Sequence, residues 1–539
     1  MDIPEELQFR DVRKQAPVII SKESRQVLAQ NGTKFEQGDS GTTQIVFRLP
    51  NEENSSTDLS TMWITADLYV DGLSDTTYTQ ARCERYNSSN FDNIFDSATA
   101  DLPFLSCCDS IESAVKSVHI LVNGSELERH DYYNYEESIM NMHTNNANFS
   151  NSIGAGCMLM NLSHWEKSKL FLQRPSGART SSNVVQVSFP LRWCGISNLR
   201  SLVPTYMLAN GQSSIELRIF LENANKFLIA GLFTDVANNG FSNVFTPASN
   251  LKYVLDNVRL NYDVVQTSDA YTSSLRSYLA SNQLTLPIDT YYTTQFDIKS
   301  DASGWMNFTI STQMSDISAV YIGFCVADEQ SSYAYASTDR FVKPHGLEEA
   351  RLQINGKPYP NVNIRLSGNA ELPEAEAYHY LMKALRQNCS LEVIGNANSK
   401  NFITRRCRIN NIQDVSTIKT LRPANAAATD QATTNTAIIA VRDAAAALTV
   451  KDIESGSGLY YGVNKCAIVP SSRVNNAAND LNYYSEDAYL WESPRQFILG
   501  FDISKSNYNN EYELSGQDLT KSSGLIQVNL RFASGGPRL

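Results

Sequence analysis

The motif best suited by residue type to nucleophilic catalysis is Gly38-Asp39-Ser40-Gly41. A serine nucleophile needs a histidine base that an acidic residue orients. All six histidines lie downstream of Ser40, whereas the chymotrypsin-like arrangement that uses this motif places its base upstream. We therefore predict that the motif forms a turn before a strand and supplies no nucleophile.

Metal and cofactor sites need ligands or glycines at defined spacings. No two histidines stand at HxH or HxxxH spacing, so we predict no metal-binding histidine pair within one strand or helix. Gly456, Gly458 and Gly462 form GxGxxxG, which is one residue off the dinucleotide-binding spacing and lies outside a strand-then-helix setting. We predict a loop there. Overall we predict no catalytic, cofactor-binding or metal-binding residue, and no enzymatic activity.

Two pairs of nearby carboxylates could do acid–base chemistry: Glu136 with Glu137, and Glu374 with Glu376. Each pair stands near the start of a stretch with helical character. Acidic residues are favoured in the first turn of a helix because they complement its dipole. We interpret both pairs in this way, with catalysis as the alternative.

Length and charge limit the class of protein. A chain of 539 residues exceeds what one hydrophobic core normally serves, and 26 tyrosines favour strands over helices, so we predict two large β domains. The net charge of -12 argues against a protein that binds nucleic acid over its whole surface. The densest basic cluster is Arg405, Arg406 and Arg408. It is either a contact for phosphate or an acidic partner, or a solvated or subunit-pairing strand.

The cysteines and the N-terminus indicate a reducing compartment. Nine cysteines are present, and none stands at CxxC spacing, so buried thiols are predicted rather than a zinc ribbon or disulfide framework. The first residues lack the apolar core of a secretory signal, so we expect synthesis without a signal peptide. No run approaches 18 apolar residues, and we predict no membrane span.

The dipeptides Asn123-Gly124 and Asn355-Gly356 each follow a run of alternating apolar residues. A two-residue hairpin loop needs positive φ at both positions, and Asn-Gly supplies it with least strain. Each hairpin is followed by a helix-like stretch, at residues 132–142 and 371–386. Two such units indicate a duplication.

The repeat extends to the far ends of both halves. Strands with strict alternation close them at residues 214–220 and 524–532. Strand pairs also precede each hairpin. We therefore predict two tandem β domains of one fold. The predicted organisation is an irregular N-terminal arm 1–40, a first domain 41–265, a linker 266–283 with a short helix at 274–280, and a second domain 284–539, with long insertions at 141–179 and 424–448.

Three sets of short motifs follow one another along the chain: Val118-x-Ile120-x-Val122-Asn123-Gly124 with Tyr133-Asn134-Tyr135-x-x-x-Ile139, then Ser188-Phe189-Pro190-Leu191, and finally Phe501-Asp502-Ile503-Ser504 with residues 524–533. The first and last resemble segments of major capsid proteins from polintons and virophages. The second is similar to the closing strands of the first domain in the wider group that includes adenovirus hexon. Asn134 and Glu136 depart from the family, which usually has Pro and often has Arg there.

This resemblance to double jelly-roll major capsid proteins of DNA viruses implies an all-β fold of two tandem eight-stranded jelly rolls, with short helices and long loop insertions. A jelly roll packs two sheets face to face, an architecture that limits unwanted pairing at exposed edge strands. The resemblance implies homotrimeric, pseudo-hexameric capsomers that tile an icosahedral shell in the virion. It also implies minor capsid and penton partners. We further expect lateral contacts between trimers and, from the negative charge, no sequence-specific nucleic-acid binding.

Two other functions stay open. A viral spike or receptor-binding protein is also β-rich and trimeric, but usually has a single head domain. A carbohydrate-binding β-sandwich would show exposed aromatics beside paired carboxylates. The five tryptophans are dispersed, and we interpret them as core anchors: Trp63, Trp165, Trp193, Trp305 and Trp491.

Overall fold

The computed structural model consists mostly of β-strands with few helices. It describes residues 19–50, 54–73, 78, 102–108, 110–144, 159, 164–172, 180–199, 202–205, 215–236, 240–242, 251–282, 288, 290–299, 302–311, 314, 317–325, 341, 344, 346–368, 374–385, 497–504, 519–520 and 525–534.

The strands, in chain order, are β1 Ile19–Leu28, β2 Phe35–Gln37, β3 Gln44–Arg48, β4 Ser55–Asp71, β5 Leu102–Cys107, β6 Val115–Val122, β7 Ser125–His130, β8 Val185–Phe189, β9 Ile215–Leu221, β10 Leu228–Val236, β11 Gly240–Ser242, β12 Lys252–Thr267, β13 Gly304–Ser311, β14 Ala319–Gly323, β15 Leu347–Ile354, β16 Lys357–Arg365, β17 Ile498–Asp502 and β18 Leu525–Phe532. The helices are α1 Tyr133–Thr144, α2 His164–Leu172, α3 Ala224–Phe227, α4 Asp269–Leu279 and α5 Ala375–Ala384, with 3₁₀ turns at Ile111–Ala114 and Gly195–Asn198.

The same strand order occurs in both halves of the chain. One sheet of the first half has the order β3-β9-β6-β7, and one sheet of the second half has the order β13-β18-β15-β16. In each, the strand that opens the set pairs with the strand that closes it, and the closing strand pairs with the hairpin. A second pairing also recurs, between β4 and β8 and between β14 and β17.

Both hairpin turns are confirmed with the backbone geometry that the sequence predicts. Asn123 and Gly124 have φ values of 54° and 79°, and Asn355 and Gly356 have 49° and 80°. Asparagine and glycine tolerate this left-handed region better than other residues. The helices predicted after the hairpins are also present, as α1 and α5.

Replacing Gly124 with alanine should lower the free energy of unfolding by roughly 1–2 kcal/mol, the cost of a left-handed conformation for an L-residue. No heavy atom lies within 4 Å of the added β-carbon, so the loss comes from the backbone alone. Gly38→Ala is the control, since its β-carbon would meet only Lys252 Cγ at an ordinary 3.6 Å. Urea titration measures both. Equal losses in the two variants would contradict the explanation.

The correspondence between the halves extends to individual residue pairs. Counted from the Asn-Gly turn, Leu217 lies between Ile120 and Phe47 in the first sheet, as Val528 lies between Leu352 and Phe308 in the second. The irregularity in pairing also recurs at the same place. It falls between Val115 and Ser117 in β6, and between Leu347 and Glu349 in β15. The first three strands of each sheet, β3-β9-β6 and β13-β18-β15, therefore share one register, whereas the last strands, β7 and β16, differ in register away from the turn.

The described residues form two hydrophobic cores. One contains side chains from Ala29 to Val264, and the other contains side chains from Phe324 to Phe532. Ile139 and Tyr321 are half-buried and pack against both. The two cores therefore meet along a shared boundary within the chain.

The predicted N-terminal arm is wrong in one respect, because residues 19–28 and 35–37 are strands that pair with β12. Alternation of apolar and polar residues did not reveal β1 because this strand is largely exposed. Backbone pairing holds it, together with side-chain contacts such as Lys22 to Asp263 at 2.9 Å.

The predicted linker does contain a helix, α4, but the helix begins earlier than residue 274 because the Ser268 side chain caps it. Helix α2 lies within the predicted insertion 141–179. The insertion 424–448 lies outside the described residues.

Candidate functional site

Charged side chains are concentrated in the interior of the first half, at the junction of the β6–β7 hairpin and helix α1. The 3₁₀ turn Ile111–Ala114 and the segment before Gly195–Asn198 also meet there. We call this group the charged cluster, and its members are Glu112, Glu128, His130, Glu136, Glu137 and Arg192.

His130 lies between two carboxylates. Its Nδ1 is 2.6 Å from Glu136 Oε2, and its Nε2 is 2.8 Å from Glu128 Oε1. Burial alone would lower the pKa of His130, but the hydrogen bonds and charges of the two glutamates outweigh burial and raise it to about 9. The ring is therefore an imidazolium at neutral pH and donates to both carboxylates.

The two glutamates also bind groups from distant parts of the chain. The Glu128 carboxylate accepts hydrogen bonds from the backbone N–H of Gly195 at 2.6 Å and from the Thr290 hydroxyl at 2.7 Å. The Thr293 hydroxyl donates to Glu136 at 2.7 Å. Burial would raise the pKa of Glu128, but the bond to His130 and these donors hold it below its usual value.

Glu112 and Arg192 form a second charged pair in the same region. Arg192 Nε and Nη2 lie 3.2 Å and 3.0 Å from Glu112 Oε2, and the Tyr133 hydroxyl donates to Glu112 Oε1 at 3.2 Å. Burial raises the pKa of Glu112, and Arg192 opposes that effect. The guanidinium also lies 5.1 Å from the ring centre of Trp193.

Glu137 is bound by hydroxyl groups. Ser110 Oγ donates to one of its carboxylate oxygens at 2.5 Å, and Ser113 Oγ donates to the other at 3.2 Å. Ser110 also caps the 3₁₀ turn by accepting from the Glu112 N–H. The helix is thereby fastened to the chain segment that precedes the hairpin.

The charged cluster is suited to joining chain segments. The side chains of His130, Glu128 and Glu136 are 0%, 2% and 3% exposed, so no substrate in solvent reaches them. Within the described part of the chain, no group of His, Cys, Asp and Glu side chains is arranged to hold a metal ion. Buried charges of this kind are kept by partners that satisfy them.

The second half has an apolar residue at the register position of His130. His130 pairs with Val118 in the first sheet, and Ile364 pairs with Ala350 at the same place in the second. Ile364 is buried in the second core. Among the described residues, the apolar Ile364 thus takes the place across from Ala350 that the charged His130 takes across from Val118.

The candidate catalytic and binding residues predicted from sequence do not come together in one site among the described residues. Glu136 does lie in the first turn of α1 and Glu137 follows it directly, but both are buried and bonded rather than exposed beside the helix dipole. Glu374 is also buried and accepts from the Ser367 N–H at 2.8 Å. Ser40 lies in a bend between β2 and β3, as predicted. The Arg405 cluster and the GxGxxxG loop lie outside the described residues.

The interpretation of the tryptophans as core anchors is wrong for two of them. Trp193 is buried, but Trp63 is 45% exposed and Trp305 is 41% exposed. Trp63 faces outward because its neighbours Met62 and Ile64 fill the core, and alternate residues of a strand point to opposite faces.

Glu112 and Arg192 were missed by sequence reasoning. They are 80 residues apart, and nothing local marks them as partners. A weak signal existed for the other pair, because Glu128 and His130 are two residues apart and therefore share one face of β7.

Among the helices that the structure describes, none is long and apolar enough to cross a membrane.

No family model and no curated protein matches the chain. Solved structures that are similar to it include the following three. PBCV-1 VP54 fitted into a reconstruction of the virophage Sputnik has 9% identity and a TM-score of 0.34, over 71% of this chain and 77% of that one. The PBCV-1 virus capsid model has 9% identity and a TM-score of 0.32, over 66% and 74%. The Faustovirus major capsid protein has 10% identity and a TM-score of 0.30, over 65% of each chain. The structure neighbours of this chain are viral major capsid proteins.

Proposed function

We propose that this chain is a viral major capsid protein with a structural, non-enzymatic role. The observation that carries the proposal is the register that β3, β9 and β6 share with β13, β18 and β15, including the irregularity at the same position in β6 and β15. Two halves with the same strand pairing are expected when one domain has been duplicated and both copies have kept an equivalent structural role in the assembly.

Duplication has a specific consequence for assembly. Three copies of a two-domain chain place six similar domains around one axis, so a threefold ring takes an approximately sixfold outline that can tile a flat facet. Closed rings are the usual form of homo-oligomers, and obligate interfaces commonly bury roughly 2,000 Å² or more in total. We propose that the chain forms such homotrimers, as two tandem jelly rolls per chain, and that they tile an icosahedral DNA-virus shell.

The domain limits belong to the same proposal. We assign residues 41–265 to the first jelly roll, 266–283 to the linker and 284–539 to the second. The two separate cores support a division in this region. Minor capsid and penton proteins are the further partners that such a shell requires.

The charged cluster supports a structural role over an enzymatic one. Its polar groups are directed at each other and at backbone N–H groups. The carboxylates of Glu128 and Glu136, which form a triad with His130, are almost completely buried. Such an arrangement fixes the hairpin, the helix and the segment that follows the linker in one relative position.

Sedimentation velocity of the purified chain at micromolar concentration tests the assembly. One chain has a mass of 60.0 kDa, and we expect a particle of three times this mass. Negative-stain electron microscopy should show a threefold outline. A stable monomer in native buffer would contradict the proposal. Particles found only at the vertices of virions would favour a spike instead.

A further inference from the structure

The segment 290–299 runs from the linker to β13, the first strand described in the second half, without forming a helix or strand. We call it the connecting segment. Its Thr290 and Thr293 hydroxyls donate to Glu128 and Glu136, and the ring of Tyr291 meets that of Trp193 edge-on at 6.3 Å. These contacts attach the start of the second half to the interior of the first.

His130 shares both of its carboxylate partners with the two threonines. Its imidazolium is the hydrogen-bond donor that lies between the two carboxylates, and each carboxylate also accepts from one threonine. A buried carboxylate without a counter-charge is costly, and removing one member of a buried ion pair leaves the other uncompensated. Loss of the His130 proton would leave two anions facing one neutral ring.

We propose that Glu128, His130 and Glu136 form a pH-sensitive fastener, which holds the connecting segment against the first half at neutral pH and releases it in alkaline solution. This device goes beyond the proposed capsid role, because it concerns how the two halves of one chain are held together. A single chain is enough to test it.

Titratable groups face His130 from helix α1 and from the segment before the 3₁₀ turn Gly195–Asn198. Beyond the two glutamates, the ring of Tyr133 on α1 meets the imidazole edge-on at 6.2 Å. The Cys194 thiol in the segment before the 3₁₀ turn is affected by the charges of Glu128 and Glu136, and burial raises its pKa well above the usual value. The Glu112–Arg192 pair is internally balanced. The described contacts thus leave His130 as the cation of the triad.

The pKa of His130 in the folded chain is about 9, above its ordinary value of 6.5, so folding favours the charged ring. The stabilisation that charged His130 provides is complete below the unfolded value and is lost as pH rises through 9. At pH 10 neutral His130 outnumbers the charged form by about ten to one. The pKa of Glu128 is lowered, so the stabilisation from its carboxylate is complete at any pH above the ordinary pKa of a glutamate. It is lost only as the pH falls through the lowered pKa in acid.

Alkylation of Cys194 provides the measurement. This thiol is buried and lies beside the residue that Tyr291 covers, whereas Cys107 is buried in β5. The intact chain is pulsed with iodoacetamide from pH 7 to 10, and labelling at each cysteine is quantified by mass spectrometry. The ratio of Cys194 to Cys107 labelling removes the increase in reactivity that both thiols share, and the ratio measured in His130→Gln gives the effect of pH on the two thiols without the imidazolium. In the wild type we expect this ratio to rise about tenfold, with a midpoint near pH 9.

Three variants separate the fastener from a general loss of stability. His130→Gln carries no charge at any pH, so its ratio should be high already at pH 7 and should have no midpoint near 9. Thr290→Val keeps the triad but loses one contact, so its ratio should be raised at pH 7 with the midpoint retained. His119→Gln changes a half-buried histidine of the adjacent strand and should behave as the wild type.

A wild-type ratio that stays constant from pH 7 to 10 would overturn the proposal. The same holds if His119→Gln removes the midpoint as fully as His130→Gln does. If His130→Gln does not fold, the proposal is tested by the wild-type midpoint near pH 9 and by the raised ratio of Thr290→Val at pH 7. Absence of either result would contradict it. These outcomes are independent of whether the chain forms trimers, which sedimentation measures separately.

Discussion

Replacing Arg192 with methionine should lower the free energy of unfolding by roughly 3–5 kcal/mol, the range observed when one partner of a buried ion pair is removed. Arg192 contacts the Glu112 carboxylate through two nitrogens, and Glu112 is fully buried. Methionine keeps much of the side-chain volume, so the loss reports on charge more than on packing.

The loss should also depend on pH. Burial already raises the pKa of Glu112, and removing Arg192 takes away the charge that opposes this effect. The variant can therefore relieve its unpaired anion by binding a proton. We expect the difference in stability between wild type and variant to shrink as pH falls from 8 to 5, as measured by urea titration at each pH.

Arg129→Met is the matched control for this prediction. Arg129 forms a 2.7 Å ion pair with Asp131, but both side chains are about half exposed. Exposed pairs contribute up to about 1 kcal/mol, and many contribute nothing measurable. If Arg129→Met costs as much as Arg192→Met, burial does not explain the role of the Glu112–Arg192 pair.

Replacing Phe47 with alanine should lower the free energy of unfolding by roughly 3–5 kcal/mol, which is usual for a phenylalanine removed from a packed core. Phe47 is completely buried, and its strand β3 pairs with the closing strand β9 through Leu217. The cavity would therefore lie beside the central pairing of the first sheet. Urea or thermal unfolding monitored by circular dichroism measures the loss.

Val46→Ala provides the comparison on the same strand. Val46 points to the opposite face from Phe47 and is only half-buried, so we expect a loss of less than about 1 kcal/mol. Similar losses at both positions would mean that β3 does not have the inward and outward faces described here. They would also weaken the register match with β13, where Phe308 occupies the corresponding position.

Local features of this chain could be predicted because their causes are local. Asn-Gly supplies two positive φ values within one dipeptide, so both hairpins were predictable from a few residues. Alternation also predicted β9 and β18, where inward residues are apolar and buried. Strand β1 escaped prediction because it is mostly exposed, and its position depends on pairing with β12 more than 200 residues later in the chain.

Turn geometry and side-chain period depend on near neighbours, so the two hairpin-and-helix units, the alternation of their strands and their order along the chain were predictable from sequence. The contact of Arg192 with Glu112, and those of Thr290 and Thr293 with the glutamates beside His130, are seen only in the folded chain. Those contacts join residues that are 80 or more positions apart, so no local pattern encodes them. A buried charge takes whichever partner the packed chain brings within hydrogen-bond distance.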